Sequence, residues 1–299
     1  MRQFIQSAVN FSEGRRSDVI EAIVDAARRA SNVIIADYSA DADHNRMVVT
    51  FLGGPDDIRQ AIFASAKVAV ELIDLRVHEG AHPRIGAVDV VPLVPIQGIT
   101  MDECVELSRL IGADFADNLG VPVCFYEYSA LSDRCRLPEI RRGGFESLLG
   151  CDLTGDRKPD LGPCRVHPSA GMTAVGARGP LVAYNINLDT HDLEVARAIV
   201  RKIRSGEAGL TCVKSMAVWL AAQSRAQVSM NLTQPDVTPV PPVFEFIQSE
   251  ARTLGVEVAE SEFIGLVSQR YLGSMSREDI KAWHLKDAQI LEHWIESMG

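Results

Sequence analysis

The order in which strands and helices follow one another is the feature that most limits the fold of this 299-residue chain. Alternating or β-branched runs predict strands, and apolar residues at helical spacing predict helices. The first set reads β-α-β-β-α-β: strands Gln3–Phe11, Val33–Ala40, Met47–Gly54 and Val88–Pro95, with helices Ser17–Ala30, capped by Ser17, and Pro55–Leu75. This order predicts the split βαβ, or ferredoxin-like, α/β sandwich. A helix Met101–Leu119 and a strand Val121–Tyr128 follow it.

The same order returns in the second half. The predicted strands are Leu181–Leu188, Val213–Leu220, Ala226–Leu232 and Val258–Ser268; one helix is capped by Asp189 or Thr190, one starts at Pro241, and one spans Ser276–Ser297. The chain is long enough for two cores. We therefore expect an α+β protein of two ferredoxin-like subdomains, residues 1–178 and 179–299. Ligand sites favour such subdomain interfaces, so a site is expected there.

The segment that joins the halves, Pro159–Pro180, is rich in proline and glycine. These residues exclude a helix or a long strand. Flexible linkers are mostly Ser, Gly or charged residues, whereas this segment carries Cys164, Met172 and Val175 among its turns. We expect an ordered loop whose backbone approaches a ligand closely, since glycine allows that approach.

Composition narrows the classes of partner and location. The net charge of −10, with no basic run to offset it, argues against nucleic acid. No apolar run is long enough to span a bilayer and no signal peptide is recognisable, so we expect no membrane association and a cytoplasmic location. The six cysteines stand singly, which favours free thiols. An acidic substrate would need local arginines, and the candidates are Arg84, Arg141, Arg142 and Arg165.

The stretch His78–Pro92, HEGAHPRIGAVDVVP, concentrates reactive side chains immediately before a buried strand. Its first five residues match H-E-x-x-H, the pattern in which a helix presents two histidines to zinc. Gly80 and Pro83 break such a helix, so the zinc interpretation is disfavoured. His78 alone is better explained as a histidine at the end of the preceding helix.

Five stretches together resemble the glutamate formimidoyltransferases, a family that also forms the N-terminal half of formimidoyltransferase-cyclodeaminase. They are VNFSEGRR (Val9–Arg16), HNRMVVTFLGGP (His44–Pro55), HEGAHPRIGAVDVVPLVPI (His78–Ile96), LPEIRRGGFESL (Leu137–Leu148) and the region from PDLGPCRVHPSAGMTAVGAR to AYNINLDT (Pro159–Thr190). The resemblance covers essentially the whole chain. No cyclodeaminase domain is expected to follow Gly299.

This resemblance implies transfer of the formimino group from N-formimino-L-glutamate to N5 of tetrahydrofolate during histidine breakdown. It places the family's acid-base histidine on His82 and implies a homodimer, with ligands in a tunnel between the subdomains. Tetrahydrofolate is then a co-substrate, and no metal is expected. The family's folate-contacting loop falls on ten consecutive residues: Gly162, Pro163, Cys164, Arg165, Val166, His167, Pro168, Ser169, Ala170 and Gly171.

A histidine suits this reaction, because imidazole can accept or donate a proton near neutral pH. One proton must leave the attacking nitrogen and another must reach the departing amine. Arg84 is a candidate for a substrate carboxylate, its alternative being an ion pair with Asp89 or another acid. The family carries a second acidic position two residues after Asp37, where this chain has Ser39. If that carboxylate orients the histidine, Asp41 is the replacement.

Other donors and other classes of function remain open at this point. Formyl transfer from N-formylglutamate and formimino transfer from formiminoglycine would use the same fold. A zinc hydrolase through His78, Glu79 and His82 is an alternative of another class, in which Glu79 replaces a lysine of the family's animal members. A folate-binding protein without catalytic activity is a third.

Overall fold

The computed structural model describes residues 3–42, 44–131, 136–206, 208–220 and 223–297. The chain forms two compact units, Met1–Arg178 and Gly179–Gly299, called the N-terminal and C-terminal units below. Each unit has its own sheet and its own hydrophobic core. The expected mixed α+β class is confirmed.

The N-terminal unit is built on one sheet of six strands. Its elements are β1 (Phe4–Phe11), α1 (Ser17–Ala30), β2 (Ile34–Asp41), β3 (Arg46–Gly53), α2 (Pro55–Leu72), β4 (Val88–Gln97), α3 (Met101–Leu119), β5 (Val123–Phe125), α4 (Leu137–Ile140) and β6 (Thr173–Ala177). The strand order is β2-β3-β1-β4-β6-β5, in which the first four strands are antiparallel neighbours. The β-α-β-β-α-β order predicted from the sequence is therefore present.

The helices of this unit form where the sequence places apolar residues at helical spacing. The buried face of α1 consists of Val19, Ile20, Ile23, Val24 and Ala27, and it packs with α2. A capping box at Thr100 and Glu103 starts α3, and Gly120 in the left-handed conformation ends it. Ser17 does not cap α1 as predicted: Arg16 is the N-cap residue, and the Glu13 carboxylate accepts from the backbone N–H groups of Arg15 and Arg16.

The joining segment contributes a strand that the sequence analysis missed. It has neither a helix nor a long strand, as predicted, but β6 lies between β4 and β5 and is parallel to both. All five β6 residues are small or β-branched and buried, too short a run for its alternation to be recognised. A Cβ on Gly176 would lie 2.3 Å from the Tyr126 carbonyl oxygen, so glycine is required for this close packing.

The C-terminal unit repeats the element order around a four-stranded sheet. Its elements are β7 (Val182–Leu188), α5 (Leu193–Ser205), β8 (Val213–Leu220), β9 (Arg225–Leu232), α6 (Val240–Thr253), β10 (Val258–Ile264), α7 (Gln269–Leu272) and α8 (Leu291–Ser297). The strand order β10-β7-β9-β8 matches that of the first four strands of the other sheet. Asp192, rather than Asp189 or Thr190, caps α5 by accepting from the backbone N–H of Glu194.

The prediction of a long C-terminal helix over Ser276–Ser297 is wrong. Only α8 is helical there, after a short 3-10 turn at Asp287–Gln289. The backbone instead turns along β10, where Ser261 donates its N–H to the Lys281 carbonyl and its hydroxyl to that of Ile280. These bonds and the positive φ of Lys281 (53°) interrupt a helix. In this segment Leu285, Ile290 and Leu291 are buried, Trp294 is half-buried and Trp283 is exposed.

No helix in the described ranges is both long and apolar enough to cross a bilayer.

Gly86 tests the packing between the β4 entry and the joining segment. A Cβ there would lie 2.1 Å from the Met172 carbonyl oxygen and 2.6 Å from that of Val88. We expect Gly86→Ala to lower the free energy of unfolding by about 3 kcal/mol, since neither backbone can yield cheaply. Chemical denaturation measures this.

Gly179→Ala is the matched control, because a Cβ there meets no atom within 4 Å. Its expected effect is within about 0.5 kcal/mol. Equal effects of the two substitutions would show that the close approach at Gly86 does not constrain the fold.

Candidate active site

The loop between α2 and β4 is held in place by side-chain hydrogen bonds to backbone groups and by close backbone packing. Asn45, itself in the left-handed conformation (φ 48°), joins three segments. Its side-chain oxygen accepts from the Gly14 N–H at 2.9 Å, and its side-chain amide donates to the Glu79 carbonyl at 2.9 Å. A Cβ on Gly80 would lie 2.4 Å from the His44 carbonyl oxygen, so this loop and the β2-β3 connection touch directly.

His78 has a structural role in this arrangement. The prediction that it ends a helix is wrong, because α2 stops at Leu72. Its Nε2 donates to the Asn45 carbonyl at 2.9 Å, and its buried Nδ1 has no hydrogen-bond partner in the described part of the chain. Burial, together with the Arg84 charge, lowers the pKa of His78. Residues 78–82 are not helical, so the H-E-x-x-H geometry for zinc does not form.

His82 lies against arginine side chains. Arg46 Nη1 is 3.2 Å from His82 Nε2, and a guanidinium has only donors, so Nε2 accepts and the ring proton lies on Nδ1. Burial first, and then the charges of Arg46, Arg141, His44 and Arg84, lower the pKa of His82 to about 3. His82 is therefore a neutral imidazole near neutral pH, with its Nε2 lone pair directed at Arg46.

Arg46 is fixed by its position in the sheet. It is the first residue of β3, directly opposite Asp41 on β2. Its Nη1 also lies 3.3 Å from the side-chain oxygen of Asn10 on β1. Burial and the Arg141 charge lower the pKa of Arg46, whereas Asp89 and Asp41 oppose that shift. The guanidinium is thus held beside His82 with much of its hydration removed.

Arg84 and Arg141 add two more guanidinium groups. Arg84 Nη2 donates to the His78 carbonyl and to Glu146 Oε1, both at 2.7 Å. Of the two ion-pair alternatives for Arg84, the structure therefore has the one with another acid, and Asp89 instead pairs with Arg141. The Nε atoms of Arg84 and Arg141 are buried and lack a hydrogen-bond partner among the described residues. Such donors suit carboxylate groups.

The acidic candidates on β2 face the side of the sheet that carries Arg46. Tyr38 points the other way, because its hydroxyl donates to Glu21 on α1. Side chains alternate along a strand, so Asp37, Ser39 and Asp41 lie on the opposite face. Asp41 pairs with His44: its Oδ1 accepts from the His44 N–H at 2.8 Å, and its Oδ2 lies 3.1 Å from His44 Nδ1.

The predicted folate-contacting loop divides into an exposed part and an anchored part. Gly162, Pro163, Cys164 and Arg165 are exposed, whereas Val166, Ala170 and Gly171 are buried. His167 and Gly171 exchange two backbone hydrogen bonds, and His167 Nδ1 accepts from the Ala170 N–H at 3.0 Å. Pro168 and Ser169 form the turn between them. Burial lowers the pKa of His167.

This loop is tied directly to the segment that carries His82. The Ser169 carbonyl accepts from the Leu75 N–H at 2.8 Å, the Ala170 carbonyl accepts from the Ala87 N–H at 2.8 Å, and Met172 donates to the Ile85 carbonyl at 2.9 Å. The two segments predicted to act on the substrates therefore share one backbone network. Arg165 lies outside it, in an exposed ion pair with Asp152, and Arg142 is also exposed.

Two residues beside His82 were not predicted from the sequence. Arg46 contacts its ring, and the His44 ring lies 6.4 Å away, centroid to centroid. Both belong to the HNRM stretch at the start of β3. This stretch was recognised only as part of a resemblance, because its approach to the loop of His82 depends on the pairing of β2 with β3.

Comparisons with known proteins match both units. Residues 4–178 match the family described as "Formiminotransferase domain, N-terminal subdomain" and residues 183–299 match "Formiminotransferase domain". The chain is 42% identical to glutamate formimidoyltransferase of Streptococcus pyogenes, covering 91% of each chain. It is 39% identical to that of Thermoplasma acidophilum, covering 98% of this chain and 97% of the relative.

A longer relative is matched over part of its length. Formimidoyltransferase-cyclodeaminase of Sus scrofa is 38% identical over 91% of this chain, which spans 51% of that protein.

Stability at acidic pH tests the environment of His82. The folded-state pKa of His82, about 3, lies below the ordinary value of 6.5. Between these two pH values the unfolded chain binds a proton on this histidine and the folded chain does not. Stability then falls as the pH drops below 6.5. We expect His82→Gln to lose less stability over this range, by up to roughly 1.4 kcal/mol per pH unit.

Denaturant titrations of the two proteins at several pH values measure the difference. His284→Gln is the control, since the His284 side chain is 80% exposed. If His82→Gln and the wild type lose stability in parallel, the imidazole is not desolvated as described.

Proposed function

This chain belongs to the formiminotransferase family, and from that membership we propose the reaction of its site. It is an enzyme of the transferase class that moves the formimino group from N-formimino-L-glutamate to N5 of tetrahydrofolate, giving 5-formimidoyltetrahydrofolate and L-glutamate. The observation that carries the proposal for the site is the neutral imidazole of His82 among three arginines, in the family's characteristic loop.

His82 acts in this proposal on the attacking nitrogen. As N5 adds to the formimino carbon it becomes positively charged, and a neutral imidazole can remove its proton. The free protein holds His82 in this neutral form, since burial and the neighbouring cations lower its pKa to about 3. The contact with Arg46 covers Nε2, the ring atom that accepts the proton, so that contact must loosen when the substrates bind.

Binding of the donor to the arginines would explain why the contact between Arg46 and His82 loosens. N-formimino-L-glutamate has two carboxylates, and the side chains of Arg46, Arg84 and Arg141 surround His82 with positive charge. A substrate carboxylate that pairs with these groups would offset the charges that make His82 a weak base. The buried Nε donors of Arg84 and Arg141 have no acceptor among the described residues, which supports this role. We thus propose that donor binding itself raises the basicity of His82.

The remaining parts of the proposal concern folate and assembly. Gly162–Gly171 contacts tetrahydrofolate, which is a co-substrate, and its anchoring to the segment of His82 supports that assignment. We further propose that both units are ferredoxin-like, as their matching strand orders suggest, with a ligand tunnel at their interface. We propose that the protein is a homodimer that acts in the cytoplasm in histidine degradation. Its reaction requires no metal. We also propose that Asp37, which lies on the same face of the sheet as Arg46, contacts the substrate or a residue that does.

A parallel assay of donors tests the reaction. Purified protein with EDTA and tetrahydrofolate is given N-formiminoglutamate, N-formylglutamate or formiminoglycine, and release of the free amino acid is followed. We expect folate-dependent release of glutamate from N-formiminoglutamate, with the other two donors slower, because the arginines favour a dicarboxylate and N5 attacks the formimino carbon.

His82→Ala in the same assay tests the proposed base. The expected loss in kcat is roughly 10²- to 10⁴-fold with folding unchanged, as the loop is held by Asn45 and His78 rather than by His82. Arg76→Ala, on an exposed side chain, is the control. Transfer from a different donor alone would contradict the proposed substrate. Full activity of His82→Ala would contradict the proposed base.

A further inference from the structure

The two arginine ion pairs of the candidate site have carboxylates of different kinds. Arg141 pairs with Asp89, a buried carboxylate whose other oxygen accepts from the Ile85 N–H at 2.8 Å. Arg84 pairs with Glu146 at 2.7 Å, and the side chain of Glu146 is 64% exposed, whereas that of Arg84 is 10% exposed. A buried charge without a partner is costly, so Arg84 needs an anion. The anion that it has lies mostly in water and can return there at little cost.

The guanidinium of Arg84 is held in place without help from Glu146. Its Nη2 also donates to the His78 carbonyl at 2.7 Å, and the His78 ring in turn donates to the Asn45 carbonyl. Its buried Nε has no hydrogen-bond partner in the described part of the chain. Glu146 thus leaves unsatisfied one donor of a group that pairs best with both oxygens of a carboxylate. An anion site remains when this side chain leaves.

We propose that Glu146 occupies, in the free protein, the position at Arg84 that the side-chain carboxylate of the donor takes when it binds. This assignment rests on the proposed function and names the group that the donor displaces. The two side chains are chemically the same, since each carries its carboxylate on the same ethylene chain. Glu146 is thus an internal competitor of the donor, and exchange of one carboxylate for the other never leaves Arg84 as a buried charge without an anion.

The exchange requires no change in the segment that carries Glu146. The neighbouring Phe145 N–H donates to the Arg84 carbonyl at 3.0 Å, and the side chains of Phe145 and Leu148 are buried in the core. These contacts hold the backbone beside Arg84 while the exposed carboxylate turns into water. Such a rotation is fast for an exposed side chain.

Competition of this kind makes the site selective for the donor's side chain. A ligand with a side-chain carboxylate replaces Glu146 on Arg84 and keeps the buried charge paired. A ligand without it, such as formiminoglycine, leaves the ion pair closed and gains nothing from Arg84. Because Glu146 is attached to the chain, small anions in solution compete with it poorly.

Binding of two unreactive analogues tests the exchange apart from the reaction. N-acetyl-L-glutamate carries the side-chain carboxylate and N-acetylglycine lacks it, and calorimetry gives the Kd of each. We expect Glu146→Gln to bind N-acetyl-L-glutamate roughly 3- to 10-fold more tightly than wild type, because a neutral amide competes weakly for Arg84. The Kd of N-acetylglycine should change by less than about 2-fold.

A double-mutant cycle separates exchange at Arg84 from a general change in charge. In Arg84→Gln nothing is left for Glu146 to compete for, so adding Glu146→Gln should leave the Kd of N-acetyl-L-glutamate unchanged. Glu194→Gln is the matched control, because Glu194 is a 61% exposed glutamate paired with Arg197, and the substitution removes the same charge. It should bind both analogues as wild type does. Denaturant titrations show that each variant is folded.

The direction of the change decides between exchange and a structural role for Glu146. A Glu146→Gln protein that binds N-acetyl-L-glutamate no more tightly than wild type would overturn the inference. Equal tightening for both analogues, or tightening that persists in the Arg84→Gln background, would also overturn it.

Formimino transfer by wild type is measured separately. Its absence would overturn the proposed function even where the Kd values change as expected. Transfer with unchanged Kd values would overturn only the exchange at Arg84.

Discussion

The candidate site depends on hydrogen bonds to backbone groups that hold an irregular loop in place. Asn45 joins the loop of His82 to the turn after β1, and the segment 166–172 holds its other side through Ser169, Ala170 and Met172. Glycines at positions 80, 86 and 171 let these backbones approach where a Cβ would clash. Because the side chain of His82 takes no part in this network, it is available for chemistry.

Electrostatics gives this framework its proposed function. One guanidinium, that of Arg46, contacts the imidazole, and the charges of Arg84 and Arg141 also act on it. Arg84 and Arg141 pair with carboxylates of the protein, and their buried Nε atoms have no hydrogen-bond partner among the described residues. The result is a neutral histidine in a region that a dicarboxylate would make less positive. Under the proposed function, substrate binding and activation of the base would both follow from the same charges.

The sequence predicted the regular part of the fold well because hydrophobic periodicity reports on local geometry. The strands and helices of both β-α-β-β-α-β sets were found to within a few residues. The missed strand β6 has only five residues, small or β-branched, in a segment rich in proline and glycine, and its place between β4 and β5 depends on partners far along the chain. The prediction of the C-terminal helix failed for a related reason: Ser261 on β10 donates hydrogen bonds to the Lys281 and Ile280 carbonyls, which a helix would need as acceptors.

The candidate site was predicted in part. Family resemblance pointed to His82 and to Gly162–Gly171, and the backbone bonds between their segments fit that assignment. Arg46 and His44 were missed because spacing along the chain does not reveal which residues of neighbouring strands meet a distant loop. The pairing of Arg84 with Glu146, and of Arg141 with Asp89, likewise follows from the path of the chain after α3 and not from any local pattern.

The most direct test of this account is the protonation state of His82 in the free protein, observed by nitrogen-15 NMR of the histidine side chains, with His82→Gln used to assign its signals. The account predicts a neutral ring at pH 6, with the proton on Nδ1 and an unprotonated Nε2 facing Arg46. It also predicts a shift toward the imidazolium when N-formiminoglutamate is added. A ring that is already protonated at pH 6, or that carries its proton on Nε2, would contradict the central claim that burial and the neighbouring arginines keep His82 neutral until the donor binds.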